Sequence, residues 1–168
     1  MQGLRERRLA RSVTVRSAFA ALGTCLVLAA GCGGDDAEAE AFREEANAIC
    51  AEYEEKIAMI PPPQEALDEW AAIAGDIGDI LEAGVNELDA LVPPDDLGER
   101  YDEWLALKRE TLSATRDLQD AGGLLDQEGV DSALNRIEES EGRADELAAE
   151  LELDDCAATA GDLVASDR

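Results

Sequence analysis

Two runs of proline, at 61–63 and 93–94, interrupt a chain whose apolar residues otherwise recur every three or four positions. Proline lacks a backbone N–H and its ring clashes with the preceding helical turn, so each run ends one helix before the next begins. Gly129 and Asp131 predict a third break, as a helix stop and an N-cap. The sequence therefore predicts four helical segments and a short tail, at roughly 40–60, 64–91, 95–127, 131–152 and from Leu153 onward.

Each segment carries one apolar stripe, the pattern of a helix packed in a bundle. The stripe is clearest in the second segment, at Leu67, Trp70, Ala74, Ile77, Leu81, Gly84, Leu88 and Leu91. The other segments carry Phe42, Ala46, Ile49, Tyr53 and Ile60; then Leu97, Tyr101, Trp104, Lys108, Leu112, Thr115 and Leu118; then Leu134, Ile137, Ala144, Leu147 and Leu151. Short loops between long helices favour antiparallel neighbours. We expect an all-α fold, a single-domain antiparallel up-down four-helix bundle without strands.

This topology predicts which residues of neighbouring helices lie at the same level. Counting outward from the turns gives three pairs: Tyr53 with Trp70, Trp104 with Gly84, and Arg116 with Glu141. Glu141 falls near the apolar stripe of the fourth segment, where a carboxylate needs a compensating charge. We therefore expect Glu141 to pair with Arg116 or with another basic residue.

The first 31 residues differ from the rest of the chain. Five arginines and one glutamate precede an apolar stretch of 13 residues, at 18–30. That stretch is shorter than the about 20 apolar residues needed to cross ~30 Å of hydrocarbon, so it fits a cleavable signal peptide. The stretch runs into Leu28, Ala29, Ala30, Gly31 and Cys32, which resemble the lipobox of bacterial lipoproteins. Ala29 departs from the commonest pattern, which has Leu, Val or Ile at that position.

The resemblance implies cleavage before Cys32 and diacylglycerol on its sulfur. The expected organisation is a signal peptide at 1–31, a lipidated cysteine with an acidic, flexible tether at 32–40, and the helical bundle domain at 41–168. Two or three acyl chains, such as palmitate, would anchor the protein stably on the extracytoplasmic face of the cell membrane. Ordinary secretion is the alternative. The adjacent Arg7 and Arg8 leave export by the Sec or the twin-arginine route open.

Removal of the signal peptide makes the protein strongly acidic. The chain has 14 basic and 40 acidic residues, and residues 1–31 contain five of the basic and one of the acidic residues. The remaining 137 residues thus hold 9 basic and 39 acidic side chains, a formal charge of −30. This charge repels phosphate backbones and anionic headgroups, which argues against nucleic-acid binding and against electrostatic membrane binding. A basic protein is the partner that the charge favours.

Two cysteines are left once the lipobox is accounted for. Cys25 leaves with the signal peptide and Cys32 carries the lipid, so the mature domain keeps Cys50 and Cys156. Two thiols outside the cytoplasm usually pair, and a disulfide here would close most of the domain into one loop. Two unpaired structural cysteines are the alternative. Redox activity is disfavoured because neither cysteine belongs to a Cys-x-x-Cys motif.

The residues of common catalytic sites are scarce. The chain has no histidine, the usual general base and zinc ligand, and its only lysines are Lys56 and Lys108. The Glu-x-x-His motif of di-iron bundles is therefore excluded, and no glycine-rich phosphate loop follows a strand. The sequence argues against an enzyme and against a bound cofactor.

Acidic clusters could attract divalent cations through their oxygens. The clusters are Asp35–Asp36, Asp95–Asp96, Glu138–Glu139–Glu141, Asp154–Asp155, and Asp126 with Glu128 and Asp131. None has the spacing of an EF-hand loop, so solvated helix faces explain most of these charges and any cation binding is expected to be weak.

The whole pattern resembles the small helical lipoproteins of high-GC Gram-positive bacteria, a likeness that supplies no site residue beyond Cys32. Two functions fit it. The first is a non-catalytic interaction or scaffold module of the cell envelope. The second is a ligand-binding or divalent-cation-binding lipoprotein, in which Trp70 or Trp104 would line a groove instead of packing in the core.

Overall fold

A computed structural model describes residues 34–62 and 66–157. This part of the chain is all-helical and contains no strand. Four α-helices pack against each other: α1 Gly34–Ala58, α2 Leu67–Asp89, α3 Gly98–Gly123 and α4 Gln127–Leu151. A short 3-10 turn, Asp154–Cys156, follows α4. The predicted all-α class with four packed helices is confirmed.

Two boundaries differ from the expected ones. Residues 34–40, expected to belong to a flexible tether, form the first turns of α1, and Ala39 is buried there. Alternating Ala and Glu are strong helix formers, and acidic side chains are favourable at a helix N-terminus. The third turn lies at residues 124–126, before Gly129 and Asp131. Gly129 lies inside α4, where the missing side chain leaves room for Ala121 of α3: an added Cβ would lie 2.9 Å from the Ala121 Cβ.

The expected signal peptide, lipobox and Cys32 lie outside the described residues. None of the described helices combines the length and the apolar character needed to cross a membrane. The N-terminal predictions therefore stay predictions.

Helix α3 is the centre of the bundle because α2 and α4 both pack along it. It buries residues on two faces, so its buried set is larger than one stripe: Tyr101, Trp104, Leu105, Leu107, Thr111, Ala114, Thr115, Leu118, Ala121 and Gly122. Ion pairs mark both contacts at the surface. Arg116 of α3 binds Asp79 and Glu82 of α2, each at 2.8 Å, and Arg136 of α4 binds Asp117 of α3.

The buried residues form two separate clusters. The disulfide-end core consists of residues from all four helices and the 3-10 turn: Phe42, Ala46, Val85, Leu88, Tyr101, Trp104, Leu105, Leu107, Ala144, Leu147, Ala148, Leu151, Leu153 and Cys156. The three-helix core consists of residues from α2, α3 and α4: Ala74, Ala114, Leu118, Ala121, Val130, Ala133 and Ile137. Helix α1 contributes only to the first cluster.

Helix α1 is held to the C-terminal tail by covalent and polar contacts. Cys50 and Cys156 form the predicted disulfide, with a Cα–Cα distance of 5.1 Å. Arg43 donates a hydrogen bond of 2.9 Å to the carbonyl of Leu151, and the Asn47 side chain accepts one from the Asp155 amide. The disulfide thus secures a helix that has few neighbours of its own.

The register of α1 against α2 differs from the expected one. Tyr53 lies against Gly84 instead of Trp70: a Cβ at position 84 would be 3.0 Å from Cγ of the Tyr53 ring. The absence of a side chain at Gly84 therefore lets the ring pack onto the α2 backbone. Because α1 ends five residues after Tyr53, whereas α2 begins 17 residues before Gly84, much of α2 has no α1 beside it.

Candidate functional site

A cavity of about 60 Å³ lies beside the disulfide, where all four helices contribute side chains. We call it the Glu141 cavity. Its lining includes Tyr53, Leu81, Val85, Lys108, Thr111 and Glu141. The exposed Glu54 also lines it, so the cavity reaches the protein surface. Among the described residues, this is the place where apolar walls and buried charged groups meet.

A buried ion pair forms the polar side of the cavity. Lys108 Nζ lies 3.6 Å from Glu141 Oε1, and the two side chains are 13% and 5% exposed. The other carboxylate oxygen, Oε2, is buried and receives no hydrogen bond from the described part of the chain. A buried charge is costly unless all its hydrogen-bonding capacity is used. Glu141 therefore lines the cavity with one carboxylate oxygen that lacks a hydrogen-bond donor.

The prediction for Glu141 is confirmed in its general form, because a basic residue pairs with it. That residue is Lys108, whereas Arg116, the first expectation, lies on the other face of α3 and binds α2. Lys108 was placed correctly in the apolar stripe of the third segment. A lysine within such a stripe was the sequence signal for a buried polar site.

Neutral hydrogen bonds support this part of the core. The hydroxyls of Thr111 and Ser140 lie 2.8 Å apart and join α3 to α4 next to Glu141 in sequence. The Ser140 hydroxyl is also within 2.9 Å of the Arg136 carbonyl. The Thr111 and Ser140 hydroxyls therefore find their hydrogen-bond partners within the α3–α4 interface, and these contacts fix the level of α4 against α3.

Tyr53 forms the aromatic wall on the α1 side. Its hydroxyl donates a hydrogen bond to the Glu87 carboxylate, and this bond, with some burial, raises the tyrosine pKa above its ordinary value. Lys56 Nζ lies 4.0 Å from the ring centroid and also pairs with Glu52 at 2.8 Å. The ring is therefore held at its hydroxyl and over its face, and it lines the cavity.

Neither tryptophan lines the cavity. Trp104 is fully buried and stacks on Tyr101, with ring centroids 5.4 Å apart. Its Nε1 donor finds no acceptor among the described residues. Trp70 is half-buried against the three-helix core. The tryptophans are thus core residues, as the stripe predicted, and the groove hypothesis applies to Tyr53 instead.

The acidic clusters do not assemble into a metal site in the described part of the chain. There, no group of three or more Asp, Glu, Cys or His side chains is arranged to hold a metal ion. Asp154 and Asp155 are exposed, as are Asp95, Asp96, Glu138 and Glu139. Cys50 and Cys156 are brought together, whereas Cys32 lies outside the described residues.

Comparison of the chain with protein-family models, with curated proteins and with solved structures finds no match. The acidic surface and the Glu141 cavity are the two features of the described chain that bear on its function.

Proposed function

We propose that this protein is a non-catalytic interaction module, lipid-anchored outside the cell membrane, that binds basic partners in the cell envelope. The observation that carries the proposal is the distribution of charge. Most of the exposed side chains of α1 between Asp36 and Glu55 are acidic, and the disulfide holds this helix against the bundle. A rigid, strongly negative helix face is suited to recognition by charge complementarity.

The contacts support an up-down arrangement of the helices, which we include in the proposal. Leu88 and Tyr101 are in contact across α2 and α3, and so are Asp79 and Arg116. The residue number falls on α2 as it rises on α3, as expected for antiparallel neighbours. Lys108 with Glu141, and Thr111 with Ser140, give the same relation for α3 and α4.

The lipobox supports the lipid anchor. Its position next to α1 also indicates which end of that helix would lie near the membrane. Cys32 precedes the first residue of α1 by two positions, so a lipid on its sulfur would hold the N-terminal end of α1 near the membrane. The first turns of α1 would then rise directly from the bilayer. Anionic headgroups and the acidic helix repel each other, so attachment depends on the lipid.

Membrane fractionation tests the anchor. The native chain should be recovered in the membrane fraction with acyl mass on Cys32, and a Cys32→Ala variant should be released from it. Retention of the variant in the membrane fraction would contradict the anchor. A variant that is released but still binds partners would separate the anchor from the interaction function.

Binding to a defined cationic partner tests the interaction role. The native chain should bind an immobilised lysine-rich peptide, and binding should weaken steeply as salt screens charges beyond a Debye length of about 10 Å at 0.1 M. Replacing the exposed Glu44, Glu45 and Glu55 of α1 with Gln should weaken binding more than the same replacement of Glu138, Glu139 and Glu146 on α4. Equal losses would mean that net charge, and not the α1 face, determines binding.

The Glu141 cavity favours a second candidate function, a ligand-binding lipoprotein. Apolar walls with a few convergent polar groups are the usual features of a small-molecule site. The divalent-cation version of this candidate has no comparable support, because Lys108 already occupies one side of the only carboxylate that is buried there.

A further inference from the structure

We propose that the Glu141 cavity binds a primary alkylammonium group, with the ammonium on the Glu141 carboxylate and a short alkyl stem against Tyr53, Leu81 and Val85. The inference goes beyond the interaction role, since it needs neither the lipid anchor nor the acidic face of α1.

Glu141 has a carboxylate oxygen that accepts no hydrogen bond from the described residues. Glu141 is 4% exposed, lines the cavity, and receives no hydrogen bond at Oε2 from the described residues. Lys108 Nζ lies 3.6 Å from the other oxygen, Oε1. A carboxylate accepts several hydrogen bonds, and those from charged donors are the strongest. Oε2 itself has less than 1 Å² of accessible surface, so a ligand N–H donor reaches this acceptor when the Glu141 carboxylate turns toward the cavity that it lines.

The second argument is the charge of the lining. Two carboxylates, Glu54 and Glu141, and one ammonium, Lys108, line the cavity. The site is thus one positive charge short of balance, within a domain whose acidic residues far exceed its basic ones. The negative lining repels an anion. A neutral alcohol can donate a hydrogen bond to Glu141 but leaves the negative charge uncompensated. A cationic donor supplies both the hydrogen bond and the compensating charge.

The third argument is the size and character of the space. A volume of about 60 Å³ accommodates on the order of four water-sized groups, at ~15 Å³ each. An ammonium with two or three methylenes has that size. Tyr53, Leu81 and Val85 offer apolar surface to the methylenes, which favours an alkyl stem over a purely polar ligand.

The same group has two sources, a free alkylamine or the lysine side chain of a partner. The exposed Glu54 at the lining shows that the cavity can be entered from the surface, so either source can reach Glu141. Comparison of a free amine with a lysine derivative distinguishes them.

The test is a titration of the ¹⁵N-labelled, disulfide-bonded full chain in detergent micelles, followed by backbone amide shifts at constant ionic strength. The probe is n-propylammonium, and n-propanol and propionate are its size-matched neutral and anionic controls. Saturable shifts are expected at Tyr53, Val85 and Glu141 with propylammonium. Equal shifts with propanol or propionate, or no saturable shift at all, would overturn the proposal.

The Glu141→Gln variant should bind propylammonium about tenfold more weakly, the loss expected for one charge-assisted hydrogen bond. Glu138→Gln is the matched control: it removes the same charge from an exposed position on α4, one turn away, and should change affinity by no more than about twofold. Equal affinity of Glu141→Gln and Glu138→Gln would refute the assigned contact.

Glu141→Gln leaves Lys108 buried without its counter-charge, so a second variant keeps the test independent of folding. Leu81→Phe adds volume at the half-buried cavity wall and retains every charge. It should abolish the saturable shifts, and unchanged binding would overturn the proposal. N-acetyl-lysine N-methylamide then identifies the source of the alkylammonium group. If it binds as tightly as propylammonium, the source is a partner's lysine. If only propylammonium binds, the source is a free amine.

Discussion

The two cores of this bundle are built from different side chains. The disulfide-end core packs large rings, Phe42, Tyr101 and Trp104, under four helices and a covalent bridge. The three-helix core is rich in alanine and has no aromatic residue among its fully buried members. Small residues bring helices close: an added Cβ at Gly122 of α3 would lie 2.7 Å from the Leu67 carbonyl oxygen of α2.

This difference places the buried charged side chains in one region and the alanine-rich packing in the other. The buried Lys108–Glu141 pair and the cavity lie at the level of α1, where large side chains and a fourth helix leave irregular space. Close-packed alanine layers leave less room for such groups. We interpret the three-helix core as the support and the disulfide-end core as the binding region.

The tryptophan pair should show the largest difference between the two regions. Trp104→Ala should lower the free energy of unfolding by about 3–5 kcal/mol, because the ring is fully buried. Trp70→Ala should cost about 1–2 kcal/mol, because its ring is half-buried. Urea unfolding of both variants measures the difference. Equal losses would mean that the two cores contribute alike.

Removal of the disulfide should affect one region first. Replacing Cys50 and Cys156, which are 106 residues apart, with Ala should lower the free energy of unfolding by about 2–4 kcal/mol. Helix α1 has few other contacts, so its amides should exchange fastest while those of the three-helix core stay protected. Uniform loss of protection would show that α1 and the three-helix core unfold together.

Two glycines test the close packing of the three-helix region. Gly122→Ala should destabilise by about 1–3 kcal/mol, because the new Cβ meets backbone atoms of Leu67 and Ala71 that cannot move separately. Gly142→Ala is the matched control. Nothing lies within 4 Å of a Cβ there, and the residue is inside α4, so the variant should gain about 0.5–1 kcal/mol. A gain at both positions would contradict the proposed close approach.

Alkaline pH should weaken the disulfide end, where Tyr101 is part of the core and Tyr53 lines the Glu141 cavity. Burial is the main cause that raises the pKa of Tyr101 above its ordinary value. The unfolded chain therefore loses this proton first, and the free energy of unfolding falls as pH rises above about 10, by at most ~1.4 kcal/mol per pH unit. Below that pH the contribution of this group is fully present and does not change with pH.

The control for this pH effect is Tyr101→Phe, which removes the ionising group. The variant should be less stable at neutral pH, because the Tyr101 hydroxyl donates a hydrogen bond of 2.8 Å to the Leu88 carbonyl. It should also lose less stability between about pH 9 and 11 than the native chain. The same pH dependence in both proteins would assign the alkaline loss to other groups.

Local pattern predicted the helices well because proline and apolar spacing act within one segment. The predicted helix breaks at 61–63 and 93–94 are examples. Helix α1 ends before the first and α2 begins after it, and α2 ends before the second and α3 begins after it. The predicted register of α1 against α2 was wrong. A linker between two helices can be compact or extended, and the spacing of apolar residues does not encode its length in space. The wider buried face of α3 was missed because a single stripe describes a helix with neighbours on one side only.

The candidate site was only partly predictable. Glu141 stood out as a charged residue near an apolar stripe, so the sequence indicated that it needed a basic partner. Lys108 lay in the stripe of the third segment, but no acidic partner was predicted for it. Their pairing depends on the level of α4 against α3, which the Thr111–Ser140 contact and the turn at 124–126 determine. Tyr53 joined the site only through the unexpected register against Gly84.

Hydrogen exchange of the full, disulfide-bonded chain with and without n-propylammonium tests most directly whether the disulfide end is the binding region. The account predicts added protection in α1 around Tyr53 and in α2 around Val85, with no change around Ala114, Val130 and Ala133 of the three-helix core. Added protection centred on the three-helix core, or none in either region, would contradict it.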